Sequence, residues 1–247
     1  MTDAGRHQIG LILFPRLTQL DLTGPFEVLA RLPNADVHLV WKDLQPVVSD
    51  VGLKILPTRT LTDCPKLDVI CIPGGPGMNA LLEDEEMLAF VRDQGGQARY
   101  VTSVCTGALV LGAAGLLHGY KAATHWASMQ FLAAFGATPV NTRVCIDRNR
   151  ITGGGVTAGI DFGLLLAEAL SDRLTAEKIQ LYMEYNPQPP FAAGSPDTAP
   201  PTVVSEFRSY VDGMLKQRGE AVARAAQKLT AGPTFQLDRI TNTAIKQ

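Results

Sequence analysis

The sequence predicts an α/β fold: a single doubly wound domain in which a mostly parallel sheet is sandwiched between helices. Three observations carry that expectation. The strand candidates are near-continuous apolar runs, as strands covered on both faces must be. They alternate along the chain with segments of helical periodicity. Three of them end in polar, glycine-rich or abrupt turns, where sheets of this kind place their ligands. With 247 residues, 46% of them hydrophobic, the chain can bury one large core and needs no second domain. No repeat and no linker divides it. Residues 1–232 therefore read as one domain, and residues 233–247, with weak periodicity, as a flexible C-terminal tail.

Residues 8–14 form the first apolar run, and Pro15 ends it. Thr18-Gln19-Leu20-Asp21-Leu22-Thr23-Gly24-Pro25 then leads into a helix over residues 26–30. Asp21 lies just past the carboxyl end of the first strand; the residues alone favour it as a helix cap, with a site role as the alternative. Residues 37–41 read as a second strand, with His38 facing outward and without a visible partner. Residues 53–57 read as a short peripheral strand. A further buried strand, 67–72, contains Cys71 as inert packing and runs into Pro73-Gly74-Gly75-Pro76-Gly77. Glycines there let the backbone approach a ligand closely and can turn N–H groups toward developing negative charge. A phosphate loop is the rival, but the Walker lysine and the spaced GxGxxG are both missing. Residues 84–94 form an amphipathic helix with an acidic start, ended by Gly95-Gly96.

The densest signal is Tyr100-Val101-Thr102-Ser103-Val104-Cys105-Thr106-Gly107-Ala108. Tyr100 to Val104 is β-branched and aromatic, a short buried strand. Residues 107–117 are small and apolar, a helix packed closely on the sheet. Cys105 stands at the join with no residues left over for a loop, the geometry of a nucleophile elbow with Cys in place of Ser. N–H groups at a helix start favour an anion there, and the thiolate is the reactive form of Cys. The plainer alternative is a small apolar filler.

Residues 122–126 resemble a short strand entering a helix at 127–135. His125 is the candidate base for a Cys–His pair, against the simpler reading of a hydrogen-bonded residue beside Trp126. Residues 143–147 and 150–152 read as a hairpin. Gly153-Gly154-Gly155 opens an apolar helix over 156–170 and marks a backbone passing something closely, with the Cys105 sulfur as the candidate. From its start, near Val156, a backbone N–H is expected to reach the thiolate. Helices at 175–185 and 203–229 flank a Pro-rich loop.

A net charge of −2 with dispersed charges speaks against nucleic acid or an anionic membrane as partner. Cys64, Cys71, Cys105 and Cys145 match neither a disulfide frame nor zinc knuckles, and the four histidines are scattered, so no metal is expected. The N-terminus lacks a signal-peptide apolar region and no apolar run approaches the length of a membrane span, which points to the cytoplasm and reduced thiols.

Taken together, the loop around Asp21, the Ile72-Pro73-Gly74-Gly75 turn, the Ser103-Val104-Cys105-Thr106-Gly107 elbow and Ala123-Thr124-His125-Trp126 resemble the class I glutamine-amidotransferase-like superfamily, with its flavodoxin-like fold and PfpI-type members. The resemblance spans residues 9–229. Within the superfamily, Leu20-Asp21-Leu22-Thr23-Gly24-Pro25, Cys105-Thr106 and Asn186-Pro187-Gln188-Pro189-Pro190-Phe191 are similar to isocyanide hydratases. That likeness implies cofactor-independent hydration of R–N≡C to the formamide through a Cys thioimidate, in a homodimer. It implies Cys105 as nucleophile, Asp21 as acid/base partner and Thr106 as a neighbouring site residue. Gly74, Gly75 and Val156 are expected to stabilise the intermediate through the backbone. Asp21 points away from the chaperone and deglycase branches, where that position is typically Glu. Ala127 stands where amidotransferases carry the Glu of a Cys–His–Glu triad, so glutamine hydrolysis and peptidase activity are not expected.

Two other readings stay open: a glyoxalase or deglycase on the same scaffold, and a cysteine-based sensor of oxidants. A third, the sensing domain of a transcriptional regulator, is set aside because the residues after Leu229 are too few for a DNA-binding module.

Overall fold

The computed structural model describes residues 5–231. The tail expected at 233–247 lies outside them. The apolar runs form β1 (His7–Ile12), β2 (Ala35–Trp41), β6 (Val69–Ile72) and β7 (Tyr100–Val104). With β5 (Arg59–Thr60), β10 (Val144–Asp147) and β11 (Arg150–Gly153) they make a seven-stranded sheet in the order β10-β11-β7-β6-β1-β2-β5. Every neighbouring pair is parallel except β10 with β11, the hairpin read from the sequence. All four residues of β6 are buried, the consequence of helices on both faces. The chain leaves β1 toward β2 on one side and later returns to place β6 on the other. The strand order therefore reverses between β1 and β6, where such sheets open a crevice.

The helices are α1 (Gln19–Leu29), α2 (Met78–Leu81), α3 (Glu85–Gln97), α4 (Gly107–Ala113), α5 (Ala158–Leu170), α6 (Arg173–Tyr182) and α7 (Pro201–Ala231). No helix among the described residues is long and apolar enough to cross a membrane. Two small ribbons lie outside the main sheet: β3 (Val47–Val48) with β4 (Lys54–Ile55), and β8 (Lys121–Ala122) with β9 (Thr138–Pro139).

Several boundaries depart from the sequence expectation. α1 starts at Gln19 and runs through Gly24 and Pro25, so Asp21 stands inside its first turn and Thr18 holds the cap position. Packing of α1 against α5 outweighs the local helix-breaking preference. Gly95-Gly96 does not end α3, which continues to Gln97 with Gly95 pressed on Leu116. His125 and Trp126 are not strand residues: His125 caps a 3₁₀ helix over Trp126–Phe135. His38 has a partner, its Nε2 lying 2.7 Å from Gln8 Oε1.

Phe162 on α5 is fully buried in the core, on the helix that holds α1 in place. Phe162→Ala is expected to cost about 3–5 kcal/mol of stability, measured by denaturant unfolding. A loss below about 1 kcal/mol would show that this contact does not anchor the layer.

Candidate active site

Cys105 leaves β7 with φ = 55°, in the left-handed region. A non-glycine residue there carries strain of order 1–3 kcal/mol and persists only if its surroundings over-determine it. They do. The Cys105 N–H donates to the carbonyls of Gly154 at 2.8 Å and Gly153 at 3.1 Å. Its carbonyl accepts from the buried Thr124 hydroxyl at 2.7 Å. The sharp turn tips the side chain out of the sheet at the carboxyl end of β7.

Two further strand ends meet it. Asp21, fully buried, enters from the segment after β1, and its Oδ2 accepts from the Gly74 N–H, after β6, at 2.9 Å. The Gly75 N–H donates to Thr106 Oγ1 at 3.1 Å. A Cβ on Gly74 would stand 2.5 Å from the Thr106 nitrogen, 2.7 Å from Thr106 Oγ1 and 2.8 Å from Asp21 Oδ2. Glycine at this position is a packing requirement: any side chain would push the acid and the elbow apart. Gly75 has φ = 136°, outside the range of ordinary side chains, and turns the loop beneath Thr18.

The site is buried, and its electrostatics follow from that. Burial raises the Asp21 carboxyl from 3.8 to about 7, against the pull of the Gly74 N–H. Burial and the neighbouring Asp21 charge push the Cys105 thiol well above its usual range. Two groups act the other way on the sulfur: the Thr106 N–H by hydrogen bonding and Arg218 on α7 through its positive charge. Asp21 Oδ1 is buried with no hydrogen-bond partner among the described residues, and the Cys105 thiol is its electrostatic neighbour. Acid and thiol thus titrate as one unit. The other thiols lack this setting: burial pushes Cys64 up to about 11 and Cys71 up to about 12, and also raises Cys145.

The structure brings Cys105, Asp21, Thr106, Gly74 and Gly75 together, but gives the glycines different work from that expected. Both glycine N–H groups point at Asp21 and Thr106, so they fix these side chains and do not stand open to an intermediate. The turn before α5 also meets the elbow with the opposite polarity. It offers carbonyls to the Cys105 N–H, while the Gly154 N–H donates to the Arg143 carbonyl. The Gly154 N–H is thus turned away from the sulfur, and Val156, at the helix start, is half-buried and packed against the core. His125 Nδ1 accepts from the Ala127 N–H at 3.3 Å, and burial lowers its pKa, so it is a neutral helix cap. Among the described residues no cluster of three His, Cys, Asp or Glu side chains could hold a metal ion.

Sequence reasoning missed two site residues, Thr124 and Arg218. Thr124 lay within a recognised segment, one position before the His that drew attention. Arg218 lies on the last long helix, where nothing in the sequence singles it out.

Two outcomes follow from this geometry. Thr124→Val leaves the Cys105 carbonyl buried without a donor and should cost about 1–3 kcal/mol in denaturant unfolding, whereas Thr124→Ser should cost much less. Equal losses would mean the hydroxyl is not what holds the elbow. Because Asp21 keeps its proton to about pH 7 when folded and loses it near 3.8 when unfolded, the folded state binds more protons between those values. Stability from this group therefore falls as pH rises through that window. Asp21→Asn should remove that slope, visible as a Tm difference from wild type that changes between pH 4 and pH 7; a constant difference would contradict the raised carboxyl.

Residues 7–169 match the DJ-1/PfpI family. A Pseudomonas putida protein named isonitrile hydratase is 60% identical over 222 residues, 90% of this chain and 97% of that protein. An HTH-type transcriptional regulator of Pseudomonas aeruginosa, GbdR, is 31% identical over 70% of this chain, which spans about half of that longer protein. Among solved structures, a ThiJ/PfpI family protein from Pseudomonas syringae aligns with TM-score 0.86 at 48% identity, covering 88% of this chain and 91% of that one. With a strained cysteine elbow beside a buried acid on a doubly wound sheet, and with residues 7–169 carrying the family match, this chain belongs to the DJ-1/PfpI family.

Proposed function

We propose that the chain is an isocyanide (isonitrile) hydratase, converting R–N≡C and water to the N-substituted formamide R–NH–CHO. The observation that carries the reading is the buried Asp21 beside Cys105, an acid whose pKa of about 7 lets it both give and take a proton at neutral pH. The relative named isonitrile hydratase supports the substrate class, since it aligns along nearly its whole length.

The Cys105 thiolate attacks the terminal isocyanide carbon, forming the C–S bond. That carbon takes the proton held by Asp21, giving the thioimidate Cys–S–CH=N–R. The Asp21 carboxylate then takes a proton from water as the water oxygen adds to the same carbon, and passes that proton on to the imine nitrogen. Collapse breaks the C–S bond, expels the thiolate and leaves the formamide, with the remaining hydroxyl proton returned to the Asp21–Cys105 pair. Atoms balance as R–N≡C plus H₂O. Thr106, whose oxygen accepts from Gly75, keeps its own O–H free to orient the water or the imine nitrogen.

Purified protein incubated with an alkyl isocyanide should consume it and yield the formamide by mass spectrometry. Cys105→Ala should abolish turnover, and Asp21→Asn should lower kcat by about 10²–10⁴, because Asn donates a hydrogen bond but no proton. Cys64→Ser and Cys145→Ser should retain most activity. Consumption of methylglyoxal with no formamide from isocyanide would move the assignment to the glyoxalase class.

The same reading makes the protein a homodimer in a reducing cytoplasm. Val203, Phe207 and Tyr210 support the dimer, being exposed apolar residues at i, i+4 and i+7 along α7. Light scattering should give twice the 26.5 kDa chain mass; a monomer mass would reject it.

A further inference from the structure

Arg218 is a charge the reaction above does not use. It lies in the middle of α7 with 3% of its surface exposed. Its Nε donates to Asn79 Oδ1 at 3.0 Å, Nη1 to Ser128 Oγ at 2.7 Å, and Nη2 approaches Met214 Sδ at 3.7 Å. All three partners are neutral. Buried charges are normally paired with an opposite charge. Yet the ion pairs among the described residues all use other cations, including Arg224 and Lys228 on the same helix.

The hydrogen bonds show where this cation is held. Asn79 is in α2, directly after the Gly74–Gly77 turn that positions Asp21 and Thr106. The N–H of Ser128 donates to the His125 carbonyl, next to Thr124, whose hydroxyl holds the Cys105 carbonyl. The guanidinium thus bridges the two segments that flank the elbow, from a helix that docks on α2, α4 and the 3₁₀ helix.

We propose that Arg218 is a positioning residue for the reactive thiol: it is the buried counter-cation of the Cys105 thiolate, delivered by a helix outside the part of the chain that matches the family. The charged groups that act electrostatically on Cys105 are Asp21 from α1 and Arg218 from α7, with Asp50 acting on Asp21. His125, the other titratable neighbour of Arg218, is held neutral. With Asp21 protonated, its repulsion of the sulfur is gone, and the Thr106 N–H and Arg218 both favour the anion. The proposal rests on Cys105 reacting as a thiolate, part of the reading above, but not on the identity of the substrate.

The test is alkylation of Cys105 by iodoacetamide as a function of pH, with the modified peptide identified by mass spectrometry. It needs no isocyanide, so its result is separate from that of the hydratase assay. Arg218→Gln removes the charge while keeping hydrogen-bond donors, and should move the alkylation midpoint up by about one pH unit or more, a tenfold loss of thiolate at lower pH. Arg218→Lys keeps the charge and should bring the profile back to within threefold of wild type. An unchanged profile in Arg218→Gln, or an equal shift in Arg218→Lys, would overturn the proposal. Should Arg218→Gln fail to fold, the wild type decides at pH 6, where Asp21 keeps its proton. The ratio of iodoacetate to iodoacetamide rates at Cys105 should exceed that of free cysteine, because a nearby cation favours the anionic reagent. A ratio at or below that of free cysteine would overturn the proposal.

Discussion

A carboxyl and a thiol buried side by side can hold one proton between them, but two negative charges there would be prohibitively costly. The pairing of Asp21 with Cys105 is the constraint that the rest of the site serves. The pair depends on burial, which raises the Asp21 carboxyl, and Asp21 lies fully inside the protein. It also needs the two side chains to come from segments that follow different strands and still meet. That in turn requires a residue without a side chain at position 74, where the backbone passes between the acid and the start of α4. The Gly74 and Gly75 N–H groups hold the acid and the Thr106 hydroxyl in place, so one turn of backbone sets the mutual position of three side chains.

Against this stands the strain at Cys105. A left-handed conformation costs a non-glycine residue of order 1–3 kcal/mol. Each hydrogen bond to its backbone is worth about 1 kcal/mol net, and more if lost, because its partner would be left buried and unsatisfied. The two acceptors on the Cys105 N–H and the Thr124 donor on its carbonyl together match or exceed the strain. The elbow is therefore stable because its neighbours cannot release it cheaply. The rigidity has a chemical use: a preorganised nucleophile needs little rearrangement when it attacks.

Much of this is legible in the sequence, and what is not has a common cause. Parallel strands declare themselves because burial on both faces demands apolar runs, as in Val69–Ile72. Cys105 stands out because no loop residue separates its strand from its helix. Asp21 is harder. Its local signal is that of a helix cap, and the structure moves it into the first turn because α5 holds α1 together through Gly24 and Pro25. The direction of the Gly153–Gly155 turn is invisible in sequence, since glycine says that the backbone comes close but not whether it presents N–H or carbonyl groups. Arg218 is hidden for another reason. A single arginine on a long helix rich in charged residues looks solvated, and only the docking of α7 shows that it faces inward.

The parts of this site come from the first helix, the centre of the chain and its last described helix, and no short piece of sequence contains them all. Contacts of such wide separation are the slow, late events of folding, because a long loop must be closed before any of them forms. A chain folded in all but one layer would have Cys105 without Asp21, or both without the helix that covers them. Such a molecule carries an ordinary buried or exposed thiol. Turnover therefore counts finished molecules, and in refolding or heat-inactivation experiments the appearance of activity should mark the closing of the last layer, later than signals from the sheet alone.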